Sequence, residues 1–131
     1  MNFLLDTHVW IWLLSNPARL SPAVSKSLAD AKNEVWLSPV SVWELTILAS
    51  KGRAVAATDI DEWIRNALRT APFKEAPLTI EVALATKAFR ARHRDPADAF
   101  LAATAKVYGL TLVTADAALL ASKEIATLAC R

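Results

Sequence analysis

The sequence predicts an α/β fold, a sandwich of helices around a mainly parallel β-sheet. Short apolar runs that are typical of buried strands alternate along the chain with segments whose apolar residues recur at helical spacing. Strands that alternate with helices are typical of such a sandwich. With 54% hydrophobic residues in 131 positions, the chain can bury a sizeable core. Its length predicts a single domain over residues 1–131.

The N-terminal half predicts strands and helices in alternation. Asn2 to Leu5 is a short apolar run that ends at an acid, Asp6, and it is most simply a buried strand. Thr7 is a candidate cap for the helix that follows. The predicted elements of this half are a strand over 2–5, a helix over 8–15 that Asn16-Pro17 ends, a helix from Ser21-Pro22 to about Lys32, a strand over 35–37 and a helix from Ser38-Pro39 to Gly52.

The C-terminal half continues the alternation. Its clearest helix can be capped by Asp95, has Pro96 at its first position and stops at Gly109. The other predicted elements are a helix from Thr58 or Asp59 that carries Ile60, Trp63, Ile64 and Leu68, a short strand within 73–78, a helix capped by Thr79, a strand over 110–114, a short helix to about Ala121 and a last strand over 125–128.

Composition narrows the class of protein. The net charge of +2 is too weak to indicate a nucleic-acid partner by itself. The single Cys130 excludes an internal disulfide and a cysteine metal cluster. No apolar segment is long enough to span a bilayer, and the apolar run near the start lacks the basic flank of a signal peptide. We therefore expect a soluble cytoplasmic protein without a membrane partner.

Four acids occupy positions where a core or a ligand site is expected. Asp6 and Asp116 follow strands, and in α/β folds ligands bind at the carboxyl ends of strands. Glu44 and Asp98 each lie on the apolar stripe of a predicted helix. A lone buried carboxylate is very costly, so each must be capped, paired or bound to a cation. The alternatives are that Asp98 only serves the N-terminal turn of its helix and that Glu44 only borders its stripe.

The acid cluster predicts a chemistry. Converging carboxylates raise each other's pKa, and a divalent cation makes such a cluster tolerable. Oxygen ligands favour Mg²⁺ or Mn²⁺ over zinc, and neither His8 nor His93 is placed as a zinc ligand. We interpret both histidines as structural or solvent-facing, the alternative for His93 being contact with a phosphate. The chain has no serine or cysteine nucleophile motif and no glycine-rich phosphate loop. Metal-dependent phosphodiester cleavage fits best, since carboxylate-held ions can activate water and stabilise an in-line displacement.

Four segments together resemble the PIN domain, and most closely the ribonuclease toxins of VapBC toxin–antitoxin pairs. They are FLLDTH at 3–8, SVWEL at 41–45, DPAD at 95–98 and TLVTAD at 111–116. The resemblance covers essentially the whole chain, and the order of the segments is fairly specific. It implies a three-layer α/β/α domain with a parallel sheet, Mg²⁺ or Mn²⁺ at an acidic pocket, and endonucleolytic cleavage of RNA.

The resemblance also assigns residues. Asp6, Glu44, Asp98 and Asp116 match the family's catalytic and metal-binding acids, and Asp95 matches a frequent additional acid that helix capping also explains. The family often has an arginine or another large polar residue after the second aspartate of the Asp-Pro-x-Asp motif, where this chain has Ala99.

Composition and the resemblance each predict binding partners. Five basic residues are candidates for contact with an RNA backbone, the alternative being ordinary solvated charges. They are Lys51, Arg53, Arg90, Arg92 and Arg94. Similar toxins are homodimers that a small antitoxin inhibits, so the resemblance implies a homodimer and a cognate antitoxin. The five tryptophans are compatible with such interfaces.

Two other functions fit the pattern less well. One is a magnesium-dependent phosphatase or receiver-like domain with Asp6 as the phosphate acceptor, but such domains place a lysine at the end of a later strand, where this chain has Thr114 and Asp116. The other is a non-catalytic module of the same fold that binds RNA or protein. The presence of all four acids speaks against that loss of activity.

Overall fold

The computed structural model describes residues 1–53, 59–91, 93 and 95–131. These residues form five strands, seven α-helices and two short 3-10 turns, at Pro17–Arg19 and Thr86–Ala88. In chain order, the strands and helices are β1 (Asn2–Leu5), α1 (Thr7–Ser15), α2 (Pro22–Ala29), β2 (Glu34–Leu37), α3 (Pro39–Ser50), α4 (Ile60–Thr70), β3 (Lys74–Glu75), α5 (Ile80–Ala85), α6 (Pro96–Tyr108), β4 (Thr111–Thr114), α7 (Ala117–Leu120) and β5 (Ala126–Ala129).

The five strands form one sheet in the order β3-β2-β1-β4-β5, and every pair of neighbours is parallel. In the central strand β1, Leu4 pairs with Trp36 on one side and with Leu112 on the other. The chain builds the sheet from β1 towards β3 and then continues at β4 on the opposite side of β1. The order therefore reverses between β1 and β4, and such a switch point opens a crevice at the carboxyl ends of the two strands.

Helices cover both faces of the sheet. Because side chains alternate along a strand, Leu4 and Leu112 join one core cluster with α5, α6 and α7, whereas Phe3, Leu5 and Val113 join another with α1, α2 and α4. The helix α3 contributes to both clusters. This arrangement confirms the predicted α/β fold with three layers and a parallel sheet. Burial of strand side chains on both faces explains why the strands read as continuous apolar runs.

Several predicted boundaries were wrong. Asp6 rather than Thr7 caps α1, and α2 ends at Ala29 instead of near Lys32. The strand predicted within 73–78 has only two residues, because only Lys74 and Glu75 pair with β2. Of the two candidate caps of α4, Asp59 caps the helix, and Thr58 lies outside the described residues.

The helix α6 begins and ends as predicted, with Asp95 as its cap and Gly109 in the left-handed conformation after its end. Its alanines Ala97, Ala99 and Ala102 are buried, so the helix backbone can lie close to the sheet. Ala99 occupies core space where a large polar side chain would not fit. No helix in the described parts of the chain is both long and apolar enough to cross a membrane.

Candidate active site at the carboxyl end of the sheet

Asp6 is the centre of the site. It directly follows β1 at the switch point, its amide donates to the carbonyl of Val113 on β4 over 3.0 Å, and its side chain is 8% exposed. The Thr7 amide donates to Oδ1 over 2.7 Å, and the Thr114 hydroxyl donates to Oδ2 over 2.6 Å. Burial raises the pKa of Asp6, although both hydrogen bonds and the charge of His8 oppose the rise.

Glu44 reaches the same place from α3. The hydroxyl of Thr7 donates a short hydrogen bond to Oε1 of Glu44 and also hydrogen-bonds the hydroxyl of Ser41 at 3.0 Å. Thr7 therefore contacts Asp6 through its amide and Glu44 through its side chain. Burial raises the pKa of Glu44, and the neighbouring charges of Asp95 and Asp6 raise it further, against the lowering effect of the Thr7 hydrogen bond.

Asp98 lies in the first turn of α6 and is half-buried. It is not the cap of that helix, because the Asp95 side chain accepts the capping hydrogen bond from the amide of Ala97 over 3.0 Å. Burial and the charges of four other acids raise the pKa of Asp98 to about 7. In order of their effect, those acids are Asp6, Asp95, Asp116 and Glu44. The charges of all the other predicted acids therefore raise the pKa of Asp98.

Asp116 joins the cluster from the end of β4. Its amide donates to the hydroxyl oxygen of Thr114 over 3.0 Å, and that hydroxyl in turn donates to Asp6. Oδ1 of Asp116 accepts hydrogen bonds from the amides of Ala118 and Leu119, so the residue caps α7. One carboxylate oxygen is therefore engaged in the cap, and the residue is held at the edge of the site by its own helix.

The donor set fits a hard cation that keeps much of its water. Among the described residues, no three His, Cys, Asp or Glu side chains meet closely enough to ligate one ion together. Mg²⁺ is usually held by one or two carboxylates and retains several waters, whereas zinc takes three or four protein ligands that include nitrogen or sulfur. A cluster in which four acids raise the pKa of Asp98 also has negative charge that a cation would compensate. The donor chemistry here, carboxylate oxygens without nitrogen or sulfur, is that of Mg²⁺ or Mn²⁺ rather than zinc.

Three of the five predicted basic residues, Lys51, Arg53 and Arg90, are among the described residues. Lys51 and Arg53 follow α3 and are exposed, and Arg90 is exposed as well. Arg92 and Arg94 lie outside the described residues. His8 is exposed beside the acids, as its effect on Asp6 and Glu44 indicates. His93 is instead buried against Phe89, with the ring centroids 6.4 Å apart.

Three hydroxyl residues of the site were not predicted. Thr7 and Thr114 connect the acids, and Ser41 supports Thr7 from α3. A signal for both threonines existed, since Thr114 is the polar last residue of the buried strand β4 and Thr7 lies two residues after β1. Ser41 had a weaker one, because it lies three residues before Glu44 and so on the same side of the helix.

Comparisons with known proteins show the family of the chain. A family model described as the PIN domain matches residues 3–124. Ribonuclease VapC22 of Mycobacterium tuberculosis is 34% identical to this chain over 116 residues, which cover 86% of this chain and 85% of that protein.

Solved structures share the fold. The chain aligns with VapBC2 from Rickettsia felis, bound to a DNA fragment from their promoter, with a TM-score of 0.74 and 14% identity over 98% of both chains. It aligns with VapBC-1 from nontypeable Haemophilus influenzae with a TM-score of 0.71 and 17% identity, over 98% of this chain and 97% of that one. At these identities the likeness concerns the fold alone.

Proposed function

Because this chain belongs to the PIN-domain family, we propose that it is a metal-dependent endoribonuclease and the toxin of a VapBC-type toxin–antitoxin pair. The family match confirms the resemblance found in the sequence. The observation that carries the enzymatic proposal is that the hydrogen bonds of Thr7 and Thr114 bring Asp6, Glu44 and Asp116 together at the carboxyl end of the sheet. The raised pKa of Asp98, to about 7, by burial and by the charges of these acids and of Asp95 supports it. A domain that only bound RNA or protein would have no need of so unfavourable a concentration of carboxylates.

In this proposal the carboxylates have distinct duties. Asp6 and Asp98 would hold a divalent cation, and Glu44 and Asp116 would complete the acidic edge. Such a cation would supply an activated water and would stabilise the charge that develops on the cleaved phosphodiester. Thr114 and the amide of Thr7 fix the two oxygens of Asp6, and the hydroxyl of Thr7 fixes Glu44. The chain thus holds its acids in place before RNA arrives, as catalysis by electrostatic stabilisation requires.

The test is cleavage of a labelled single-stranded RNA by protein freed of any inhibitor. We expect cuts with Mg²⁺ or Mn²⁺ and none with EDTA. Asp98→Asn and Asp6→Asn should each lower the rate by about two orders of magnitude or more, since each removes a ligand of the ion that activates water. The matched control is Glu124→Gln, which removes an exposed carboxylate outside the cluster. Cleavage that persists in EDTA and in Asp98→Asn would contradict the proposal.

The toxin half of the proposal predicts a protein partner. Its support is the family match together with fold neighbours whose structures are VapBC complexes. Expression of the chain should arrest growth, and co-expression of a small DNA-binding protein encoded beside it should restore growth and co-purify with it. Asp98→Asn should relieve the arrest but still co-purify. Arrest by the Asp98→Asn protein would contradict an RNA-cleaving toxin.

We also propose that the chain forms a homodimer through α5. Ile80 and Leu84 lie one turn apart on this helix and are 81% and 59% exposed, and Leu78 beside them is exposed as well. A second copy of the same face would cover these apolar side chains. Light scattering should therefore give twice the chain mass for the parent and the chain mass for Leu84→Glu. Lys123→Glu, an exposed change elsewhere, should remain dimeric, and a monomeric parent protein would contradict the proposal.

A further inference from the structure

A cleft of about 390 Å³ lies beside the acids and has the opposite charge. One side of α1 and the end of α3 form its walls. We call it the basic cleft and define it by His8, Trp12, Arg19, Leu48 and Arg53. No acidic side chain is among the described residues that line it.

The basic cleft is continuous with the acidic site along two helices. His8 follows Asp6 by two residues and shares one side of α1 with Trp12, four residues later. Leu48 follows Glu44 by four residues on α3, so it lies one turn further along the same side of that helix. A strand of RNA that reaches the acids therefore has the basic cleft as its next surface in this direction.

Two arginines, Arg19 of the cleft and Arg131 at the end of the chain, lie against the ring of Trp12. The guanidinium carbon of Arg19 lies 4.2 Å from the centroid of the Trp12 ring, and that of Arg131 lies 5.2 Å from it. Such contacts between a cation and an aromatic face hold a guanidinium group in place while its N–H groups stay available. Within the described residues, the carboxylate salt bridge that exists is Lys74 with Glu34, so neither arginine is neutralised by a carboxylate there.

The cleft also contains two aromatic rings, and part of their surface is exposed. The ring centroids of His8 and Trp12 are 5.9 Å apart and tilted by 50°, and Trp12 is only partly buried. Aromatic rings next to arginines are the combination with which proteins hold single-stranded nucleic acids, because bases stack on the rings while phosphates pair with the guanidinium groups. An acidic peptide would pair with the arginines but would leave the rings without a flat partner.

We propose that the basic cleft is a subsite for the nucleotide next to the cleaved phosphodiester, with its phosphate on Arg19 and Arg53 and its base against Trp12 and His8. This inference rests on the proposed ribonuclease function, because it takes the acids as the cleavage centre. It assigns substrate binding to His8, Trp12 and Arg19, which the sequence analysis did not assign to substrate binding. The subsite contributes to affinity and to the choice of cleavage position, and the acids perform the cleavage.

The test measures RNA binding in the Asp98→Asn background, so that the substrate stays intact. A labelled single-stranded RNA is titrated by fluorescence anisotropy at several salt concentrations. Trp12→Leu should raise Kd about fivefold or more, the loss of one stacked base. Arg19→Ala should raise Kd and lower the slope of log Kd against log salt by about 0.7, the loss of one phosphate contact to a single strand. Arg65→Ala, an exposed arginine on α4, is the matched control and should change neither.

Cleavage kinetics in the otherwise unchanged protein separate this subsite from the catalytic acids. Arg19→Ala should raise KM and leave kcat close to that of the parent, whereas Asp98→Asn lowers kcat. If the parent cleaves no RNA but Arg19→Ala still weakens RNA binding, the proposed catalytic function fails and the basic cleft stands only as an RNA-binding surface. If the parent cleaves RNA and Arg19→Ala binds it as tightly as Arg65→Ala does, the subsite is overturned. The subsite would also be overturned if Arg19→Ala bound a labelled decaglutamate peptide more weakly but kept the RNA affinity of the parent. That result would make an acidic protein segment the occupant of the cleft.

Discussion

Thr114, the last residue of β4, donates its hydroxyl proton to Oδ2 of Asp6 over 2.6 Å. The two residues are 108 positions apart in sequence, and the bond crosses the switch point between β1 and β4. The same hydroxyl oxygen accepts the amide hydrogen of Asp116 over 3.0 Å. The buried Thr114 therefore connects Asp6, which follows β1, with Asp116, which follows β4.

Replacement of Thr114 tests this connection. Thr114→Val keeps the size of the side chain but leaves a buried carboxylate oxygen and a backbone amide without their partner. It should lower the free energy of unfolding by about 1–3 kcal/mol. Thr114→Ser retains the hydroxyl and should cost clearly less. Chemical denaturation of both variants gives the measurement, and equal losses would mean that the hydroxyl contributes little to the site.

The raised pKa of Asp98 makes stability depend on pH. The folded-state pKa of about 7 exceeds the ordinary value of 3.8, so between these values the folded protein holds a proton that the unfolded chain has lost. In the absence of metal, the contribution of Asp98 to stability therefore falls as pH rises from about 4 to about 7 and stays lost above that range. Asp98→Asn, which cannot ionise, should melt at a higher temperature than the parent at pH 8 and at a similar one at pH 4.

The control for this measurement is Glu124→Gln, which removes an exposed carboxylate outside the cluster. Its difference in melting temperature from the parent should not grow between pH 4 and pH 8 in the way expected for Asp98→Asn. If Asp98→Asn lowered the melting temperature at every pH, the Asp98 charge would instead stabilise the N-terminal end of α6.

Divalent cations should stabilise the folded protein. Binding to the folded state alone raises the melting temperature, and ligand carboxylates must be deprotonated. Millimolar Mg²⁺ or Mn²⁺ should therefore raise the melting temperature more at pH 8 than at pH 5.5, where Asp98 holds its proton. Asp98→Asn should reduce the rise, and Glu124→Gln should retain it. An identical rise in all three proteins would place the cation outside the acid cluster.

Two substitutions of Asp95 distinguish a structural role of this residue from a catalytic one. Its side chain caps α6, and Asn is as good a cap as Asp, whereas Ala is a poor one. Asp95→Ala should cost about 0.5–2 kcal/mol of stability, and Asp95→Asn should cost little. We expect Asp95→Asn to keep RNA cleavage within a few-fold of the parent. A large loss of cleavage at an unchanged melting temperature would instead make Asp95 part of the catalytic machinery.

Most helix starts could be predicted because their signals are local. Ser21 and Ser38 each precede a proline and cap a helix, and Thr79 and Asp95 cap theirs as expected. The start of α1 was misplaced by one residue because Asp6 and Thr7 are both good caps. Pairing with β4 carries the strand to Leu5, which leaves Asp6 in the cap position.

The residues of the candidate site were likewise predicted only in part from the sequence. The four acids could be selected from the sequence because each follows a strand or interrupts an apolar stripe. Thr7 and Thr114 were missed because a threonine is ordinary at either position. Their role comes from hydrogen bonds to residues on other elements. The basic cleft likewise depends on α1 and α3 lying side by side.

By itself, the sequence determined the alternation of strands and helices, most of the helix caps and the identity of the acids, since these depend on side-chain spacing and on neighbours within a turn. The tertiary structure decided the strand order, and with it the meeting of Asp6 and Thr114 at the switch point. It also decided the pKa of Asp98, which is raised to about 7 by burial and by charges on other elements as well as its own. Such properties depend on distances across the folded chain, because Coulomb energies and desolvation follow position in space rather than order in sequence.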